Sequence, residues 1–362
     1  MFVVPYSRSG TVAAAMVCGT TNTGWGTVDS AAVTAQSTRG ATESVTVTAR
    51  STTVTAESTT VTAASAPVTA AAAGTWKLGD LEVNRVGFGT LRLTGNGMSG
   101  NSDGAPIDRE VAVGILRSAV ERGVNHIDTA SFYFSPLRSA NELINRALAP
   151  YTDDLVIATK VGPWRDPSGA WLGMAGPGQL RGQVEENLRQ LGRDHLDVVN
   201  LRVNGIVSVA EHFGALAGLQ EAGLVRHLGL SCVTPEQLAE AQAIAPVVCV
   251  QNPYGLEQRL ADTNGLVDSC RRQEIAFVPF FAISGRRREA PADDTHGDGL
   301  RAVARAHGAT PAQVRLAWTL HRGPNVLAIP GTSDPGHLAQ NIAAGALRLS
   351  RDDLDRLEAP RA

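Results

Sequence analysis

Eight short apolar runs, each separated from the next by a longer amphipathic stretch, limit what this chain can fold into. In order they are "RVGFG", "VNHID", "LVIATKV", "LDVVNLRV", "VRHLGLS", "PVVCVQN", "IAFVPFF" and "NVLAIPG", spread between residues 85 and 331. A strand with one wet face alternates polar and apolar residues. These runs are apolar almost throughout, so both faces are covered, as in a parallel sheet flanked by helices. The stretches between them carry helix start signals. Ser139 to Glu142 reads as a capping box. Thr234-Pro235 offers an N-cap and a proline at the first helical position, with Gln237 at the third, and Thr310-Pro311 repeats the device. Eight strand–helix units in about 290 residues fit a closed (β/α)8 TIM barrel. An open doubly wound sheet is the other architecture such a pattern allows, but no GxGxxG follows the first run.

The barrel does not use the whole chain. Residues 1–74 are rich in Thr, Ala, Val and Ser, and "STTVTA" occurs at 51–56 and again at 58–63. So little bulk cannot offset the entropy of ordering, and the expectation is a disordered low-complexity tail, with a Val/Thr edge strand as the alternative. The opening "MFVVPYSRSGTVAAAMVCG" has one Arg and a short apolar run, a poor export signal, so a cytoplasmic protein is expected. Residues 75–362 form the globular part. It starts with "WKLGDLEVNRVGFG", a short hairpin turning at Gly79-Asp80. The net charge of −3 and the lack of a basic block give no reason to expect nucleic acid as a partner. No run is long and apolar enough to span a bilayer. Cys18, Cys232, Cys249 and Cys270 show no metal-ligand spacing and read as reduced, packed thiols; no metal is expected.

In a barrel of this kind, chemistry is carried at the C-terminal ends of the strands and the loops that follow. Asp128 ends the second run, with Tyr133 in its loop, and Lys160 ends the third. A phenol is a weak acid at neutral pH, and an ammonium beside it stabilises its conjugate base. A carboxylate paired with that ammonium keeps it charged and aimed. Together the three can protonate a developing alkoxide. Each also has a plainer reading: Asp128 as a loop cap, Tyr133 as packing, Lys160 as an ordinary ion-pair partner. Their coincidence at successive strand ends favours chemistry.

The stretches "GVNHIDTASFYF", "LVIATKVG", "VRHLGLS", "VVCVQNPY" and "NVLAIPGTSDPGHLAQN", in this order, resemble the aldo-keto reductase family over about 76–362. The resemblance implies hydride transfer between a nicotinamide cofactor, usually NADPH, and a carbonyl carbon, with no metal. It places Tyr133 as proton donor, with Lys160 and Asp128 tuning it. Ser231 and Gln251 match the residues that hold the nicotinamide carboxamide, and Phe280 matches the aromatic that stacks on its ring. The loop "GTSDPGHLAQN" matches the one that holds the adenosine phosphates, which assigns Gly331, Thr332, Ser333, His337 and Asn341 to the cofactor. Where many members carry Lys or Arg for the 2′-phosphate, this chain has Gly331 and His337, so NADH is possible beside NADPH.

Two departures from the family pattern stand out. The second-strand motif ends "YFSP" rather than Tyr-Gly-Ser-Glu, so Phe132 and Phe134 bracket Tyr133 and are expected, with Trp164, to line the substrate pocket. Arg202 stands at the end of the fourth run where the family's fourth catalytic residue is a His; His195 and His227 fall outside that place. The function implied is an NAD(P)H-dependent oxidoreductase acting on a small carbonyl compound, an aldehyde or ketone. Loss of the His motivates an alternative, a cofactor-binding barrel with little turnover that serves as a redox-sensing subunit. A metal-dependent hydrolase lacks clustered ligands.

Overall fold

The computed structural model describes residues 30–34, 48–52, 67–95, 107–283 and 298–359. The chain divides into two units, Met1–Ala66 and Pro67–Ala362. In the first, Ser30–Thr34 and Thr48–Thr52 pair antiparallel. The rest of the expected tail over 1–66 lies outside the described residues.

The second unit opens with a 3-10 turn, Ala70–Ala73, followed by the expected hairpin of Thr75–Leu78 and Leu81–Asn84. Gly79 in the hairpin turn has φ of 68°, and a side chain there would collide with the ring of His227. Seven parallel strands then follow in sequence order: Phe88–Gly89, His126–Asp128, Val156–Val161, Leu196–Arg202, Val225–Ser231, Val247–Gln251 and Ala276–Phe277. The eighth run is not a ladder strand. It closes the barrel by single bridges on either side, Phe277↔Val326 and Val86↔Ala328. Its backbone bonds both neighbours: Leu327 N–H donates to Phe277 O at 2.9 Å, and Ala328 N–H to Arg85 O at 2.8 Å. The sheet therefore has no free edge at this seam. Helices follow each strand on the outside, from Arg109–Glu121 to Pro335–Ala343, and Arg351–Glu358 ends the described chain.

The fully covered strands sort their side chains by parity. Ile127, Ile157, Val199, Leu201, Leu228, Leu230 and Val250 join the large core between sheet and helices. Val156, Ala158, Val198, Cys249 and Leu327 form a second core inside the barrel, closed below by Leu78 and Val83 of the hairpin. Counting on by two along the second, third, fourth and sixth strands leads to Asp128, Lys160, Arg202 and Gln251 at the strands' C-terminal ends. The inner layers are apolar below and polar at the top.

Two capping boxes form as expected, at Thr234/Gln237 and Thr310/Gln313. The one read at Ser139 does not. Ser139 makes no cap bond because it pairs in a two-residue ladder, Phe134–Ser135 with Arg138–Ser139, and its hydroxyl reaches Gln190 Oε1 at 3.3 Å. The boundary read at residue 74 also moves. Ala70 and Ala73 are buried, and Ala70 N–H donates to Arg122 O at 2.9 Å. Arg348 Nη2 reaches Ala72 O at 2.8 Å, and Arg85 Nη1 reaches Ala73 O at 3.2 Å. Small alanines read as filler in the sequence, but here small size is what lets this turn sit against Gly345. No helix among the described residues is long and apolar enough to cross a membrane.

A chain beginning at Pro67 should unfold at the full-length midpoint in urea. One beginning at Thr75 should lose roughly 2–3 kcal/mol, from about 1 kcal/mol for each of the three lost hydrogen bonds. Equal stability of the two truncations would remove the turn from the folded unit.

Candidate active site

Lys160 is 1% exposed. Its Nζ donates to Asp128 Oδ1 at 2.6 Å and to Thr129 O at 3.0 Å. The other oxygen of Asp128 accepts from Gln251 Nε2 at 2.7 Å. Both carboxylate oxygens are therefore engaged, one by charge and one by an amide. Burial is the largest influence on Lys160 and pushes its pKa down, but Asp128 and Tyr133 together outweigh it and hold the pKa above its ordinary value. Tyr133, 7% exposed, lies next to this pair, with Lys160 Nζ 4.9 Å from its ring centre. The ring stands edge-on to Phe132 at 5.3 Å.

Behind the pair lies a polar network that the sequence reading passed over. Thr129 Oγ1 donates to Asn141 Oδ1 at 2.8 Å, Asn141 Nδ2 to Asn187 Oδ1 at 2.9 Å, and Thr159 Oγ1 to the same oxygen at 2.6 Å. Thr90 Oγ1 adds bonds to Asp128 O and Thr129 Oγ1, each 3.1 Å. Gln183 completes the set, accepting from Gly162 N–H at 2.7 Å. All are buried. They tie the ends of the second and third strands to the helices Ala140–Leu148 and Leu180–Leu191, which keeps Asp128 and Lys160 in register. The signal was present in the sequence: Asn141 and Asn187 are amides on the apolar faces of their helices.

A cavity of about 740 Å³ opens over this group. Asp128, Tyr133, Arg202, Gln251 and Phe280 line one part; Gly331, Thr332, Ser333, His337 and Asn341 line another. Ser231 lies just beneath, fully buried, and accepts from Arg202 Nη1 at 3.4 Å. Arg202 also sits over the ring of Phe280, 5.4 Å from its centre. His195 and His227 are elsewhere, bonded to Asp194 at 2.8 Å and Asp80 at 2.6 Å.

Three residues expected at the substrate wall are not among those lining the cavity. Phe132 is buried beneath Tyr133 and Trp171. Phe134 lies under the guanidinium of Arg165, 4.6 Å away, and Arg165 Nη1 donates to the carbonyls of Phe134 and Phe132 at 2.8 and 3.2 Å. Trp164 is half-buried and paired to Gly173 in a small hairpin of Pro163–Arg165 with Trp171–Met174. Phe132 and the Arg165–Phe134 pair brace the Tyr133 loop from behind.

The loop after the eighth run carries two surprises. Gly331 is required by the fold itself, since a Cβ there would strike the carbonyl of Gly89 on the first strand. Asp334 caps the following helix, accepting from His337 N–H at 2.9 Å, and the N–H groups of His337 and Gly336 hold its carboxyl below the usual range. Thr332 Oγ1 accepts from Asp334 N–H at 3.0 Å, so this hydroxyl also shapes the loop.

Residues 85–361 match the profile of the Aldo/keto reductase family. The chain is 45% identical over 294 residues to a pyridoxine 4-dehydrogenase of Escherichia coli, an alignment covering 79% of this chain and 98% of the relative. Among solved structures, it superposes with a TM-score of 0.63 on an aldo-keto reductase from Klebsiella pneumoniae in complex with NADPH. That protein is 27% identical, with 78% of this chain and 93% of the other covered. A thermostable aldo-keto reductase in complex with epalrestat gives a TM-score of 0.66 at 28% identity, covering 78% and 98%.

Asp128→Asn leaves a buried ammonium without its counter-charge, a loss worth about 3–5 kcal/mol. In the variant, the unfolded chain holds its Lys160 proton to higher pH than the folded chain does. Chemical denaturation should therefore show the defect largest below neutral pH and shrinking as pH rises towards 10. A small loss that does not vary with pH would mean that Asp128 is not what keeps Lys160 charged.

Proposed function

The chain belongs to the aldo/keto reductase family, and on that premise we propose that it is an NADPH-dependent oxidoreductase interconverting an aldehyde or ketone with its alcohol. The observation that carries this reading is that Tyr133 and Asp128 line one cavity with the buried Lys160 held against both. The cavity residues suit a nicotinamide nucleotide. Phe280 offers an aromatic face and Gln251 an amide, with the Ser231 hydroxyl just beneath, and the Gly331–Asn341 loop offers hydroxyls and a helix start. The neighbour crystallised with NADPH supports the phosphorylated form. Among the described residues, that end of the cavity is lined by Asp334 and by no Lys or Arg, which suits NADH as well.

When bound, the reduced nicotinamide supplies a hydride to the carbonyl carbon. The protein supplies the proton. Tyr133 Oη gives it to the carbonyl oxygen as negative charge develops there. The Lys160 ammonium stabilises the phenolate left behind, and Asp128 keeps that ammonium charged and aimed. Gln251 fixes the second oxygen of Asp128, so the carboxylate cannot turn away. Arg202 takes the fourth place, presenting a fixed fork of donors where the family has an imidazole. In the reverse direction Tyr133 recovers the proton from the alcohol. A barrel that binds cofactor with little turnover is disfavoured, because acid, ammonium and carboxylate are assembled, with Tyr133 and Asp128 facing the cavity. The similarity to a pyridoxine 4-dehydrogenase makes the pyridoxine alcohol and its 4-aldehyde the first pair to assay. The free thiols of Cys232, Cys249 and Cys270 support a reducing compartment, the cytoplasm.

Tyr133→Phe should lower kcat for carbonyl reduction by about 10²–10⁴-fold, the usual worth of a general acid, and leave the NADPH dissociation constant within about twofold. Turnover close to wild type would rule out Tyr133 as the proton donor.

A further inference from the structure

Among the described residues, the charges lining the cavity do not balance. Two guanidiniums face it, Arg202 at the end of the fourth strand and Arg92 on the turn Leu91–Thr94 after the first. The carboxylate near them, Asp128, is committed: Oδ1 to Lys160 at 2.6 Å and Oδ2 to Gln251 at 2.7 Å. The other carboxylate of the lining, Asp334, is committed to the start of its own helix. Among the described residues, the partners of Arg202 are the Ser231 hydroxyl at 3.4 Å and the Phe280 ring at 5.4 Å, neither of them anionic. Among the described residues, the Lys160 charge is neutralised by Asp128, and neither Arg202 nor Arg92 meets a carboxylate. A guanidinium held over an aromatic ring keeps its fork of planar donors for a ligand.

One neutral carbonyl oxygen uses only part of that fork. A carbonyl oxygen with an anionic oxygen beside it fills the fork in the bidentate way guanidinium prefers, and supplies the missing negative charge. Resting on the carbonyl-reductase reading above, we infer that the substrate carries an anionic oxygen within bite distance of the carbonyl being reduced, and that Arg202 grips both. Arg92 adds positive potential at the same mouth. Two chemical sources share this arrangement, 2-oxo carboxylates and 2-hydroxyaryl aldehydes ionised at the hydroxyl. The 4-aldehyde of pyridoxine belongs to the second group, because its ring hydroxyl neighbours the aldehyde.

The test uses the full chain and NADPH with matched carbonyls: 2-hydroxybenzaldehyde against 4-hydroxy-, 2-methoxy- and unsubstituted benzaldehyde, and phenylglyoxylate against acetophenone. The expected kcat/KM favours an anionic member over its neutral partner by at least about tenfold, the scale of one charge-assisted bidentate contact, and the preference for 2-hydroxybenzaldehyde grows as pH ionises it. Preference in the aryl arm alone identifies the phenolate, and in the other arm alone the carboxylate. In Arg202→Lys, which keeps the charge and loses the fork, rates fall and the ratio collapses towards one. In Tyr133→Phe, all substrates slow together and the ratio survives. Calorimetric titration into the NADP⁺ complex, which cannot reduce an aldehyde, reports the same ratio without turnover. A protein that reduces nothing yet binds the anionic members selectively overturns the catalytic reading alone. An active enzyme with ratios near one, or with ratios unmoved by Arg202→Lys, overturns this inference alone.

Discussion

A lysine ammonium sealed inside a barrel constrains everything built around it. Lys160 reaches its place because it shares parity with Val156 and Ala158, which fill the barrel interior below it. Burying a charge there is tolerable only with a counter-charge and filled hydrogen bonds, and Asp128, Thr129 O and Gln251 supply these. A buried ion pair of this kind adds little to stability compared with an apolar pair. Its retention at the floor of a 740 Å³ cavity fits a role in chemistry better than one in folding. The same interior keeps the Cys249 thiol neutral: it donates to Asn200 Oδ1 at 3.1 Å, and burial pushes its pKa up to about 12 and leaves it inert.

The surrounding structure works to hold this pair and the phenol beside it. The buried threonines and amides from Thr90 to Asn187 leave the strand ends little freedom. On the other side, Arg165 clasps two carbonyls of the Tyr133 loop, while Phe132 packs edge-on against the phenol ring. Tyr133 thus sits between a polar network and an aromatic brace. Arg202 and Phe280 line the cavity beside this group, so on the proposed mechanism the charge that selects a substrate is separate from the charge that serves the proton.

Much of this was legible in the sequence because barrel strands buried on both faces leave a strong mark. Seven of the eight runs became strands, and the eighth closes the seam through bridges at Val326 and Ala328. Residues at strand ends, Asp128, Lys160, Arg202 and Gln251, were found because strand parity carries them inward. Loop residues have no such period. Nothing in "SFYF" says which ring turns to the cavity, and Phe132 and Phe134 pack behind the loop. The resemblance assigns Gly331 to the cofactor loop, but nothing local in the sequence shows that the crossing of the Gly89 backbone also demands a glycine there, a contact more than 200 residues distant in the chain. The 3-10 turn at Ala70–Ala73 was lost in the low-complexity run because alanine looks the same as filler and as close packing.

On the proposed mechanism the buried ammonium of Lys160 serves proton delivery from Tyr133. Single-turnover oxidation of NADPH by an aldehyde, followed in a stopped-flow instrument for wild type and for a folded, NADPH-saturated Lys160→Met variant, measures this step apart from binding and product release. The account predicts that the variant transfers hydride at least about 100-fold more slowly, the lower end of general-acid effects, while binding NADPH as tightly as wild type. A folded Lys160→Met enzyme that transfers hydride at the wild-type rate would contradict it.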